Sequence, residues 1–267
     1  MARAPVLFVS HGAPTLALEG GAYAGALAGF AASVPRPRAV VIVSAHLGEA
    51  GTVGVTSAAR NRIIHDFSGF PESLYAIRYP APGAPDVALR AAALLDAAGI
   101  GARLDPDRPL DHGAWVPLRF LFPGADVPVV QIALPPTADG ARRLGAALAP
   151  LRDEGVLLVA SGGLVHNLRR VRLWEDAAVP PDAWAVRFDA WCAERIAALD
   201  AAGLARFEEA PDAALAAPTP EHFLPVLVAL GAAREGDRVE TLYDAIDYGN
   251  LGMRSFALRP GGSDAAP

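Results

Sequence analysis

This chain contains no lysine: all 23 of its basic residues are arginine. A lysine Schiff base and a lysine general base are therefore excluded. Cysteine occurs once, at Cys192, so neither an internal disulfide nor a thiolate metal cluster can form. Any metal must sit on histidine, carboxylate or water. No apolar run approaches the roughly 18 residues that a membrane-spanning helix needs, although apolar residues make up 52% of the chain and mean hydropathy is +0.28. Alanine supplies much of that figure without creating a span. The opening MARAPVLFVSHG has too short an apolar core for a signal peptide and reads better as a strand, which makes the cytoplasm the expected location. The glycine patterns GxGxxG and GxxxxGK[ST] are missing, as is the GxSxG nucleophile elbow. Positive charge is also scarce: a net charge of −6 and a pI near 5.5 argue against a nucleic-acid partner.

What is present is a series of short apolar runs. Residues 4–10 (APVLFVS), 39–45 (AVVIVSA), 127–134 (VPVVQIAL) and 156–160 (VLLVA) have the continuous hydrophobicity of strands buried on both faces. Residues 52–57 alternate well enough for another strand. Helix candidates cover residues 20–32, 86–98, 116–122, 139–151, 181–201 and 219–230. In the last, Thr219 can cap, Pro220 suits the first position and Glu221 favours the positive end of the dipole, which puts His222 in the first turn. Residues 61–82 have no steady period and read as a long loop with one short helix, and residues 104–115 carry Asp111-His112-Gly113 in a loop setting. Trp184, Phe188 and Trp191 follow helical spacing and are expected to pack in the core. Residues 239–258 suggest a hairpin that closes the sheet. With no repeat and no linker, the 267 residues suit one α/β domain.

Site chemistry must rest on six histidines. His11, His46 and His166 each follow a strand candidate by zero to about five residues. The ends of parallel strands lie side by side, where open α/β sheets bind their ligands. Three imidazoles plus an open position describe a catalytic metal site. His222 could complete such a set and His112 could line it; the pattern leaves open which three would bind. Ser10 and His11 are poor candidates for a nucleophile and base, because neighbours on a strand point to opposite faces.

Seven motifs occur in one order: SHGAPT (Ser10–Thr15), SAH (Ser44–His46), HDFSGFP (His65–Pro71), DHGAW (Asp111–Trp115), GGLVHNLR (Gly162–Arg169), TPEHFLP (Thr219–Pro225) and GNLGMRSF (Gly249–Phe256). Together they resemble the class III extradiol ring-cleavage dioxygenases, in the DOPA 4,5-dioxygenase branch of the LigB-like superfamily. The resemblance implies a single three-layer αβα domain over residues 1–259, with a central, mostly parallel or mixed sheet; residues 260–267 are polar and read as a disordered tail. It also implies a divalent metal, iron(II) for catalysis and often zinc in isolated protein. His11 and His46 match two histidine ligands. The third ligand falls in TPEHF, where the wider superfamily uses a glutamate; in this branch the expected ligand is His222, with Glu221 beside it as the competitor. His166 matches an acid/base histidine, and His112 a second histidine of the substrate pocket. His65 is expected at the pocket rim or bracing its loop, and Asn167 and Arg169, beside His166, are further substrate-binding candidates. The implied reaction opens a catechol, DOPA-like or another small aromatic diol, next to its two hydroxyls with O2. No nucleic-acid or membrane partner is expected. A zinc-dependent hydrolase built on three histidines and a non-catalytic binding protein are the alternatives from other classes.

Overall fold

The computed structural model describes residues 3–172 and 179–261; of the tail expected at 260–267, residues 262–267 lie outside the described residues. The strands are β1 (Val6–Ser10), β2 (Ala39–Gly48), β3 (Val53–Thr56), β4 (Ala102–Asp105), β5 (Val129–Leu134), β6 (Val156–Gly162), β7 (Arg238–Tyr243), β8 (Ile246–Asp247), β9 (Leu251–Gly252) and β10 (Ser255–Arg259). Eight of them form one sheet in the order β4-β3-β5-β2-β6-β1-β10-β7. Its centre, β5-β2-β6-β1, is parallel. At one edge β10 runs antiparallel to β1 and to β7, which is the closing pair expected from the sequence. At the other edge β3 pairs antiparallel with β5 and parallel with β4.

The longer helices are α1 (Gly21–Ala32), α2 (Pro85–Ala97), α3 (His112–Leu121), α4 (Ala138–Leu148), α5 (Ala183–Ala197) and α6 (Pro225–Gly231). They cover both faces of the sheet. Successive strand side chains point to opposite faces, so β1 sends Val6 and Phe8 into one layer with Val87, Leu144, Phe188 and Val226 of α2, α4, α5 and α6. Leu7 and Val9 enter the other layer, with Leu27 of α1 and Trp115 of α3. Every residue of β1, β5 and β6 is buried, which is why their sequences are continuously apolar and not alternating. Each buried Val or Leu contributes about 1.5–3 kcal/mol. Of the aromatic stripe Phe188 is in the core, 5.9 Å from Trp191 and 6.0 Å from Phe223, while Trp184 and Trp191 are half-buried against it. Among the described residues no helix is long and apolar enough to cross a membrane.

Two boundaries differ from the sequence reading, and each moves a site histidine. α3 begins at His112, not at 116, and Asp111 caps it by accepting the Ala114 N–H at 3.0 Å. His112 is therefore a helix residue, not a loop residue. Gly113 and Pro117, the two poorest helix-forming types, mask this start. α6 begins at Pro225, not at Thr219. A helix from 219 would need an N–H at 225 to bond Glu221 O, which proline lacks. The chain instead bends and turns through residues 218–224, and the helix starts with Pro225 in its first turn. His222 lies in that turn. The edge strand β4, only partly buried, was not legible in its ARLD sequence.

Candidate metal centre and active site

The parallel strands β1, β2 and β6 end at one side of the sheet. His11 follows β1 directly, its backbone N–H donating to Gly162 O at 3.1 Å. β2 runs on past its regular pairing: between Val43↔Ile132 and Gly48↔Leu134, residues 44–47 face a single residue of β5. This irregularity carries His46, as bulges beside sites often do. β6 ends at Gly162, and Gly162 and Gly163 allow a close approach there. A Cβ at 162 would lie 2.3 Å from His222 O, and Gly163 N–H donates to that same oxygen at 2.8 Å. The His222 turn is thereby fastened to the end of β6. Gly113 acts similarly, since a Cβ there would lie 2.3 Å from Ser44 Oγ and 3.0 Å from His46 Cδ2.

His46 Nε2 lies 3.0 Å from His11 Nε2 and 3.2 Å from His222 Nε2. Three nitrogens bound to one ion at about 2.1 Å are about 3.0–3.4 Å apart, so the spacing is that of a ligand set. Burial first, and then the neighbouring histidines, hold His11 far below the ordinary imidazole range and His46 at about 2. Both are neutral at physiological pH and offer lone pairs. Glu221 stands to the side of the triangle. Its Oε1 lies 3.7 Å from His222 Nδ1 and accepts the Thr219 hydroxyl at 2.6 Å. These two contacts, His222 first, hold its carboxyl at about 2. The side chain is 47% exposed and flanks the His222 ring, so the geometry favours His222 over Glu221 as the third donor. The donor set fits a divalent ion.

Two more histidines complete the cluster. The His166 ring stacks on His222 with centroids 3.6 Å apart and planes 6° from parallel. Its backbone N–H donates to Ala216 O at 2.7 Å. Burial, followed by His222, brings its pKa down to about 3. The His112 ring lies 4.0 Å from that of His46. Asp66, which the sequence reading passed over, joins these two. Its Oδ1 accepts the His112 backbone N–H at 2.9 Å and lies 3.0 Å from His112 Nδ1, while Oδ2 is 4.0 Å from His46 Nδ1. Burial opposes its ionisation, but the contacts with His112 prevail and keep its carboxyl below the ordinary range. The available signal was its place beside His65 in HDFSGFP. The cluster opens into a cavity of about 210 Å³ walled by Pro14, Phe67, Phe70, Leu168 and Leu251.

A family model described as the catalytic LigB subunit of aromatic ring-opening dioxygenase matches residues 5–257. The chain belongs to this family. It is 39% identical to a 4,5-DOPA dioxygenase extradiol of Escherichia coli over 262 residues, covering 96% of this chain and 95% of that protein. A 4,5-DOPA dioxygenase extradiol of Portulaca grandiflora is also 39% identical, with 93% of each chain covered. A crystal structure of an uncharacterized protein from Escherichia coli K12 superposes with a TM-score of 0.82 at 34% identity, covering 96% of this chain and all of the other. The family makes this LigB protein an aromatic ring-opening dioxygenase that works with a non-haem metal.

Three of the sequence-derived site residues of this LigB protein do not line the cavity. His65 packs its ring against Phe67, Tyr75 and Trp115 at 5.6–5.8 Å, so it braces the loop from behind. Asn167 is buried with its polar atoms in local use: Nδ2 donates to Leu215 O at 2.7 Å and Oδ1 accepts the Arg169 N–H at 3.1 Å. Arg169 is exposed. A larger cleft of about 290 Å³ sits at the opposite, N-terminal ends of β1, β2 and β6. It holds no histidine, and its Arg3, Arg36 and Arg38 are each paired with a carboxylate.

The buried imidazoles give the metal-free LigB protein a definite acid response. His11, His46 and His166 have folded pKa values below the unfolded value of about 6.5. The unfolded chain therefore binds more protons as pH drops below 6.5, and folding stability, fully present above that pH, declines toward pH 3. A single such imidazole costs about 2 kcal/mol by pH 5. Urea unfolding of the metal-stripped protein should show a lower midpoint at pH 5 than at pH 7. A midpoint that does not move would show that these rings are not held neutral by the fold.

Proposed function

We propose that this LigB enzyme opens catechol rings beside the diol, with iron(II) on His11, His46 and His222 and a DOPA-like or other small aromatic diol as substrate. The observation that carries this reading is the triangle of Nε2 atoms, with edges of 3.0 and 3.2 Å, at the floor of a cavity with apolar walls. The relatives named 4,5-DOPA dioxygenase extradiol support the substrate class. A divalent ion bound there supplies Lewis acidity and one anchoring point for two oxygen ligands. Phe67, Phe70, Leu168 and Leu251 hold a flat ring and exclude water from it. His166 is neutral and can accept a hydroxyl proton on a ring nitrogen. A protonated ring stacked 3.6 Å from His222 is costly until an anionic oxygen stands nearby, so this base gains strength when its substrate is in place. His112, fixed at the start of α3 by Asp66, offers its imidazole to a substrate oxygen. A cytoplasmic location and the absence of a nucleic-acid partner belong to the same proposal and rest on composition.

The test loads the protein with iron(II) under anaerobic conditions, adds DOPA and a panel of simpler catechols, and admits air. A yellow ring-opened product that consumes one O2 per diol is the expected result. Iron-loaded protein that leaves every catechol unchanged would overturn the reading in favour of a binding role.

A further inference from the structure

Pro117 sits inside α3. A proline there lacks the N–H that would bond the carbonyl four residues back, and its ring crowds that carbonyl out of line. The carbonyl concerned is Gly113 O. It does not stay bare, because Ser161 Oγ at the end of β6 donates to it at 2.5 Å. A carbonyl can only accept, and a serine hydroxyl has one proton. That proton is therefore committed to Gly113. The same Oγ lies 3.0 Å from His11 Nδ1, and both residues are buried, 0% and 1% exposed. With its proton engaged, the hydroxyl can only accept from His11. The imidazole then carries its proton on Nδ1 and keeps a lone pair on Nε2, the atom 3.0 Å from His46 Nε2.

We propose that Ser161 is a positioning residue that fixes the tautomer of His11, and that Pro117 is what commits Ser161 to that role. Most other residues at 117 would supply an N–H to Gly113 O and let the serine proton turn toward His11. Nε2 would then carry the hydrogen and be closed to a metal. The consequence for metal binding rests on the ligand reading given above; the tautomer does not.

Two readouts separate these. In metal-free protein labelled with ¹⁵N-histidine, with His11→Gln to assign the signal, the His11 spectrum of the unaltered chain should be that of the Nδ1–H form. Zinc affinity is measured by competition with a chromophoric chelator. Ser161→Ala should lose the tautomer preference and bind zinc about tenfold to hundredfold more weakly, with Ser161→Thr restoring both. Pro117→Ala removes a helix breaker, so it should unfold at the same or a higher urea concentration. It should nevertheless populate the Nε2–H form and bind zinc about tenfold more weakly. A proline that served only the helix would not weaken the metal while sparing stability. An Nε2–H His11 in the unaltered chain, or an unchanged tautomer and zinc affinity in Ser161→Ala, overturns the proposal. The same null result in Pro117→Ala overturns the part assigned to the proline. The expected tautomer in a chain that binds no zinc supports the relay and counts against the metal reading.

Discussion

His46→Ala binds neither iron(II) nor zinc in stoichiometric amount and turns over no catechol. His46 is the hub of the donor triangle, since its Nε2 is the atom within 3.0 Å of His11 and 3.2 Å of His222. Changing a residue behind a ligand typically costs 10- to 100-fold in metal affinity; removing one of three donors costs more. Unfolding is not the cause of the loss, because the His46 side chain is partly exposed, at 23%, and sits on an irregular stretch of β2 outside the packed layers. The variant should keep its urea midpoint near neutral pH, and at pH 5 it should exceed the metal-free parent, having one fewer imidazole that burial forbids to charge. Elemental analysis of dialysed protein checks the ion, and the unfolding curve checks the fold. Full occupancy by metal in this variant would sink the ligand assignment.

His166→Gln keeps its metal and loses turnover by about 10²- to 10⁴-fold, the range for a removed proton-transfer group. The His166 ring lies face to face with His222, so it stands beside the triangle and is not one of its corners. Glutamine preserves a polar side chain at the cavity wall and cannot take up a proton. The decisive comparison is between metal content, which should equal that of the unaltered enzyme, and the single-turnover rate with a catechol, which should fall. A variant that retained the rate would remove His166 from the proton transfer; one that lost the metal would place it among the ligands.

The parts of this fold legible in the sequence are those whose burial leaves no choice of residue. β1, β5 and β6 are written as unbroken apolar runs because each is covered on both faces, and the closing antiparallel pair falls where residues 239–258 suggested a hairpin. The site was legible as histidines at strand ends, but not their division of labour. From strand ends alone His11, His46 and His166 form the obvious trio; in the structure the third corner comes from His222, brought in by a turn that closes against Gly162 and Gly163. That turn could have been read from Pro225, whose missing N–H breaks a helix begun at Thr219. The start of α3 was hidden for a different reason: Gly113 is there to let β2 approach, and Pro117 weakens the helix while freeing a carbonyl. Local propensity was sacrificed to a contact more than 40 residues away in sequence, Ser161 to Gly113 being 48 apart, and no window on the sequence sees that distance. Asp66 escaped for a related cause, since its partner His112 is 46 positions along the chain.

The sheet order also fixes when the donor triangle can exist. His11 and His46 are 35 residues apart, whereas His46 and His222 are 176 apart. Closing the longer loop costs about 1.4 kcal/mol more chain entropy than closing the shorter one, and it cannot begin until residue 222 has been synthesised. β6 lies between β2 and β1, so the sheet brings His11 and His46 together, as a weak and indiscriminate two-imidazole chelate, only once residues 156–162 have been made. The third arrives only when the turn before α6 docks on β6. Ion capture is consequently a late event, and a tightly held ion certifies that the turn carrying His222 has docked on β6.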